Sequence, residues 1–163
     1  MSYTANDIAI WFLLKDNESY KKFNTDEEPY EKITNMKLQK LLYYAQGICL
    51  AMHNKPLFYE KIEAWKHGPV IPEVYCKYSA FKGTPLEIGD YNSAKINEIE
   101  DNDEIRNILE ITFNNFAIYT AWQLRNMTHQ ENSPWDITLK NNEKIINNDI
   151  ITDFFKREII EWV

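Results

Sequence analysis

Residues 33–54, ITNMKLQKLLYYAQGICLAMHN, decide the fold. Leu38, Leu41, Leu42, Ala45, Cys49 and Met52 fall at helical spacing and make one broad apolar face. Tyr43, Tyr44, Gly47, Ile48, Leu50 and Ala51 cover much of the remaining circumference. A helix that is apolar nearly all round, with no run long enough to span a bilayer, is a buried central helix. Thr34 is placed to cap its start, with Ile33 and Leu38 as a hydrophobic staple; Asn54 and Pro56 mark its stop. Its strong polar groups are Lys37, Gln39, Lys40 and Gln46, three of them in the first turns. That polar start of an apolar helix is the first place to look for function.

Working outward, the chain reads as mainly α: a single compact helical domain over residues 1–163, packed around the buried central helix, with a small β-hairpin or short strand element. A first helix is predicted from about Asn6 to Lys15, with Ile8, Trp11 and Phe12 turned to the core. Residues 16–32, DNESYKKFNTDEEPYEK, are polar and contain Pro29, which predicts a flexible surface loop that becomes ordered on binding. Residues 62–66 alternate like a strand, bounded by Lys55-Pro56 and Gly68-Pro69. Pro72 opens a helix predicted to reach about Lys82, and 84–97 reads as a loop with a short strand around Leu86–Ile88. Ile105, Ile108, Leu109, Thr112, Phe113 and Phe116 repeat at three and four, after acids at 98–104 that suit the positive end of a helix. Thr120 and Gln123 form a capping-box sequence, Ser133-Pro134 opens a further short helix, and a last helix covers about Asp149–Trp162.

With 163 residues, of which 44% are hydrophobic and 14% aromatic, the chain can bury about two thirds of its unfolded surface in a packed core. The net charge of −7 and the lack of a basic stretch argue against a broad nucleic-acid surface. Cys49 and Cys76 both fall among apolar helix positions, as reduced core thiols of a cytoplasmic protein would. The N-terminal MSYTANDIAIWFLLKD lacks a basic leader and its apolar run is short, so it reads as an amphipathic helix rather than a signal peptide or membrane span.

No nucleophile elbow, phosphate-cradling glycine loop, zincin helix or paired-cysteine ribbon is present. Cys49 and His53 lie one helical turn apart and could face one ion. Cys49 sits on the packing face, however, and ligand pairs at zinc-site spacing are missing, so neither a metal nor a cofactor is expected. His67, before Gly68-Pro69, either presents its ring from a stiff exposed turn or only bonds the backbone there. Residues 128–135, THQENSPW, either form a capping link with Trp135 buried or set His129 and Glu131 in a polar pocket near the central helix.

Three stretches, ITNMKLQKLLYYAQG (33–47), IEAWKHGPVIPEVYCKY (62–78) and THQENSPW (128–135), occur in this order and at compatible spacing. Together they resemble the Panacea domain, the SocA/GepA-like antitoxin domain of bacterial and phage toxin–antitoxin systems. The resemblance runs from the first helix to about Trp135 and is weaker in the final helix. It implies a small helical antitoxin, encoded beside a toxin gene, that neutralises the toxin by direct protein contact. It further implies fold-determining roles for Leu38, Leu41, Leu42, Ala45, Gly68, Pro69, Tyr75 and Trp135, and partner contact through Lys37, Lys40, Trp65, Lys66, His67, His129 and Glu131. Gln130 and Asn132 stand where the family pattern has an acid and a glycine; asparagine can take the same left-handed backbone. No added helix-turn-helix segment is visible for operator binding. Presentation of the toxin to a cytosolic protease is a second route to the same outcome. The rival class is an enzyme that reverses the toxin's modification through His67, His129 and Glu131. A solitary phage protein acting on a host factor is a third reading.

Overall fold

The computed structural model describes residues 3–163. Helix α1 (Ala5–Phe23) opens on a capping box: Thr4 Oγ1 accepts from the Asp7 N–H, and the Asp7 carboxylate accepts from the Thr4 N–H. It runs about two turns past the predicted end near Lys15, which corrects the loop expected over 16–32. The reason is Asp16. It is buried, and its carboxylate accepts from the Ile33 N–H at 2.9 Å and the Tyr30 hydroxyl at 2.8 Å, fastening the returning segment to α1.

Helix α2 (Asn35–His53) begins and ends where the sequence predicts, capped by Thr34 and stopped by Asn54 in the left-handed region at φ 54°. Every residue from Leu38 to Leu50 is buried. Met52, placed on the apolar face by spacing, is instead exposed, because the last turn emerges from the core. Strands β1 (Glu63–Trp65) and β2 (Gly68–Val70) form the antiparallel hairpin, in the register Trp65↔Gly68. A second support holds the outer side of β1: the Ala64 N–H donates to the Lys144 carbonyl and the Ile146 N–H to the Ile62 carbonyl, both at 2.8 Å.

The predicted helix over 72–82 is shorter. Helix α3 (Pro72–Lys77) gives way to a 3-10 turn at Ser79–Phe81, and Lys82 then takes φ 54°, ψ −124°. Cys76 consequently lies exposed rather than in the core. No strand forms at 86–88; the Leu86 N–H donates to the Ile33 carbonyl, and Asn92 caps an additional helix, α4 (Ser93–Asp101). Helices α5 (Asp103–Phe116), α6 (Ala121–Thr128), α7 (Pro134–Lys140) and α8 (Asn148–Glu158) complete the chain. The six residues of the α5 periodic pattern are all buried, the Thr120–Gln123 capping box forms, and Ser133 caps α7 with Pro134 in its first turn. Among the described residues the protein is thus mainly α, with eight helices and one two-stranded sheet. No described helix is long and apolar enough to cross a membrane.

Helix α2 packs against α8, α5, α6, β2, α1 and α3. Its second half meets aromatic rings. Tyr44 stacks on Phe116 with centroids 3.9 Å apart, and Tyr43 meets Phe155 edge-on at 5.4 Å. Gly47 lies under the Phe155 ring, where any Cβ would collide, so this glycine lets α8 close onto α2. Gln46, buried in the same half, donates to the Phe58 carbonyl and accepts from the Leu57 and Phe58 N–H groups.

Candidate functional site

The first turns of α2 bury polar groups, and each has a specific partner. Asn35 Nδ2 donates to the Tyr75 carbonyl at 3.0 Å, and Gln39 Nε2 donates to Asn35 Oδ1 at 3.0 Å. Gln39 Oε1 accepts from the Ile71 N–H at 2.9 Å. This relay grips both ends of the segment that leaves the hairpin and enters α3. Buried amides left unmatched cost about 1–3 kcal/mol each, so the relay fixes the segment firmly.

Lys40 is 1% exposed and points to the hairpin, where its Nζ donates to the Pro69 carbonyl at 3.3 Å. Burial, with the Arg125 guanidinium nearby, pushes its pKa down to about 7. Gly68 makes room for it. At φ 114° this residue favours glycine, and a Cβ there would stand 2.7 Å from Lys40 Cε and 2.9 Å from Thr128 Oγ1. The two-residue turn of the hairpin, Lys66-His67, is exposed. Around it opens a pocket of about 310 Å³, with Lys40, Trp65, Lys66, His67, Tyr75 and Lys82 among its lining. Trp65 and Tyr75 meet edge to face at 5.1 Å.

The link between α6 and α7 braces the hairpin from behind. Trp135 Nε1 donates to the Trp65 carbonyl at 2.6 Å, and His129 stacks flat on the Trp135 ring with centroids 3.7 Å apart. Ser133 Oγ donates to the Thr128 carbonyl, and Asn132 takes φ 65°, the left-handed backbone foreseen for it. His129 Nε2 and Arg125 Nε are buried without a hydrogen-bond partner among the described residues. Burial, then the charges of Arg125 and Lys40, push the His129 pKa down to about 4, so the ring is neutral at physiological pH.

Of the residues expected to meet a partner, Lys40, Trp65, Lys66 and His67 share this pocket, and His129 lies in the layer behind it. The other two lie elsewhere. Lys37 is buried, donates to the Ala117 carbonyl at 2.6 Å and faces Asp16; burial pulls its pKa down. Glu131 is exposed in a separate shallow recess beside Arg157 and Phe154. No hydrogen bond joins Glu131 to His129 among the described residues, so the paired acid–base arrangement raised by the sequence does not form. Two further corrections follow from burial. Lys37 and Lys40 are not surface anchors, since a carbonyl holds each ammonium inside. Tyr75, for which the resemblance implies a fold-determining role, is 37% exposed because α3 turns it outward against Trp65. Leu38, Leu41, Leu42, Ala45, Gly68 and Pro69 are buried and Trp135 half-buried. The sequence reading missed Asn35 and Arg125. Asn35 looks like ordinary helix-start polarity, and Arg125 like a solvated α6 charge, until their distant partners come into place.

Comparison with known proteins gives a consistent picture. The family described as antitoxin SocA-like, Panacea domain, matches residues 38–136. Antitoxin SocA of Caulobacter vibrioides (strain NA1000 / CB15N) is 34% identical over 112 residues, which cover 64% of this chain. The chain spans 59% of the length of that relative. No solved structure matches.

Proposed function

This chain belongs to the antitoxin SocA-like, Panacea domain family, and from that premise we propose that it is a non-enzymatic antitoxin that neutralises a co-encoded toxin by direct contact through the hairpin face. One observation carries the reading. The three stretches that bear the family resemblance lie far apart in sequence, yet they meet at one hairpin: the start of α2 lines the pocket with it, and the α6–α7 link braces it from behind. That turn carries exposed Lys66 and His67 beside half-exposed Trp65 and exposed Tyr75, on a backbone fastened from three sides. Aromatic and cationic anchors on a rigid support are what a protein interface uses for most of its binding energy. The net charge of −7 speeds encounter with a basic partner, while the cationic turn sets the local register.

The test is co-expression and co-purification with the product of the adjacent gene, using the wild-type chain and the Lys66→Glu/His67→Ala double variant. Both positions are exposed, so the variant keeps its thermal midpoint. The expected result is a stoichiometric complex whose affinity falls roughly 30-fold or more in the variant. Neutralisation without any complex would overturn direct contact and favour delivery to a protease or catalytic reversal.

A further inference from the structure

We propose that the pocket at the polar end of α2 is a binding site for a small anionic ligand, with a phosphate or carboxylate head seated at Lys40 and a flat apolar body against Trp65 and Tyr75. This goes beyond the antitoxin reading and stands whether or not a toxin docks nearby.

The first observation is charge. In a chain with 25 acidic and 18 basic residues, the pocket is lined by Lys40, Lys66, His67 and Lys82 and by no Asp or Glu. A mixed surface of this composition would be expected to place carboxylates among three lysines. The second is the state of Lys40. Its ammonium has three donors, yet the described residues give it one long bond to the Pro69 carbonyl and no carboxylate partner. A buried cation without a counter-charge is costly, and an apolar side chain of equal length would pack there at less cost. The Arg125 guanidinium adds to the positive field instead of relieving it. An anion entering the pocket supplies the missing counter-charge.

The third observation is shape. The apolar side of the pocket is built from Met36, Trp65, Val70 and Tyr75, and about 310 Å³ is the size of a small-ligand site. Gly68 leaves room for the Lys40 side chain, which lines the pocket with its ammonium beside Gly68 and the Pro69 carbonyl. At the rim, Lys82 is held at φ 54°, ψ −124°, a costly conformation for a residue with a side chain, next to Gly83. A point-charge ammonium suits either head group. Several cations lining one pocket favour the more highly charged phosphate.

The experiment is a titration of the isolated full chain, followed by calorimetry and by the NMR signals of the Lys40 side chain. The probes are phenyl phosphate and benzoate, with benzyl alcohol as the uncharged control. Saturable one-to-one binding of phenyl phosphate or benzoate, with Lys40 shifts and no binding of benzyl alcohol, is expected; the tighter of the two anions identifies the head group. Lys40→Met weakens that binding at least tenfold, and Trp65→Leu weakens phenyl phosphate more than it weakens inorganic phosphate. Affinity also falls between pH 6 and pH 9 as the ammonium loses its proton. Equal binding of benzyl alcohol, an unchanged affinity in Lys40→Met, or no Lys40 shift with any probe would overturn the site. The Lys40 shifts are read in the wild-type chain, so the result holds even if a variant folds poorly. Toxin capture plays no part in these readouts, so failure here leaves the antitoxin reading to its own test.

Discussion

The two halves of α2 are equally buried and chemically opposite. Residues 41–50 meet Phe116 and Phe155 in an aromatic layer, where Gln46 bonds the backbone of Leu57 and Phe58. Residues 35–40 sink two amides and two ammonium groups into the same interior. Hydrophobic packing explains the first half completely. It cannot explain the second, where each polar side chain is held by a partner on another element and Lys40 has no counter-charge at all. Burial marks where the protein is stable; the kind of group buried marks where it has something to do.

The largest effect that would sharpen this contrast comes from the aromatic half. Phe155→Ala opens a cavity against Tyr43 and Gly47 and should cost about 3–5 kcal/mol in urea unfolding, while phenyl phosphate affinity stays unchanged. A parallel loss of ligand binding would break the division. Next is Gln39→Leu, which strands the Ile71 N–H and the Asn35 amide and should cost roughly 1–3 kcal/mol, with the pocket loosened as well.

Lys40→Met should go the other way, gaining roughly 1 kcal/mol at pH 6 while weakening anion binding at least tenfold. The sign follows from the proton count. The folded protein releases the Lys40 proton near pH 7 and the unfolded chain near 10.5, so between these values the unfolded state holds more protons. Wild-type stability therefore rises across that window by this group's share, and the advantage of the variant shrinks toward pH 10. The smallest effect belongs to His129. Its pKa drops from 6.5 to about 4 on folding, so its share of stability is complete above pH 6.5 and is lost as pH falls through 4. Comparing acid unfolding of wild type and His129→Gln should show a shallower decline for the variant in that range. An identical decline in both would show that burial beside Arg125 and Lys40 does not hold His129 neutral.

What could be read from the sequence divides along the same line. The limits of α2, the α5 stripe, the Thr120 capping box and the Ser133-Pro134 start are local signals, each completed within four residues, and each forms as expected. The extra turns of α1 depend on Asp16 meeting Ile33, seventeen positions on, and nothing in the polar run around it announces that bond. Helix α4 was equally hidden, because in SAKINEIED only Ile99 is buried. At the site, the exposed turn that carries His67 was legible from Gly68-Pro69 beside it. The fates of Lys37 and Lys40 were not: their acceptors, Ala117 and Pro69, lie 80 and 29 residues away. A lysine in a first helical turn looks solvated until the rest of the chain arrives.

The hairpin carries one last consequence. On one side, residues 144–146 already occupy the backbone of β1. On the other, Pro69 has no N–H to offer and its carbonyl is engaged by Lys40. The ribbon therefore has no open edge onto which a foreign strand can add. The docking proposed for this face rests on side chains instead of a main-chain ladder. Under that proposal, substitutions at the turn change which partner is accepted and leave the backbone that presents them intact, an economical route to new specificities on a constant scaffold.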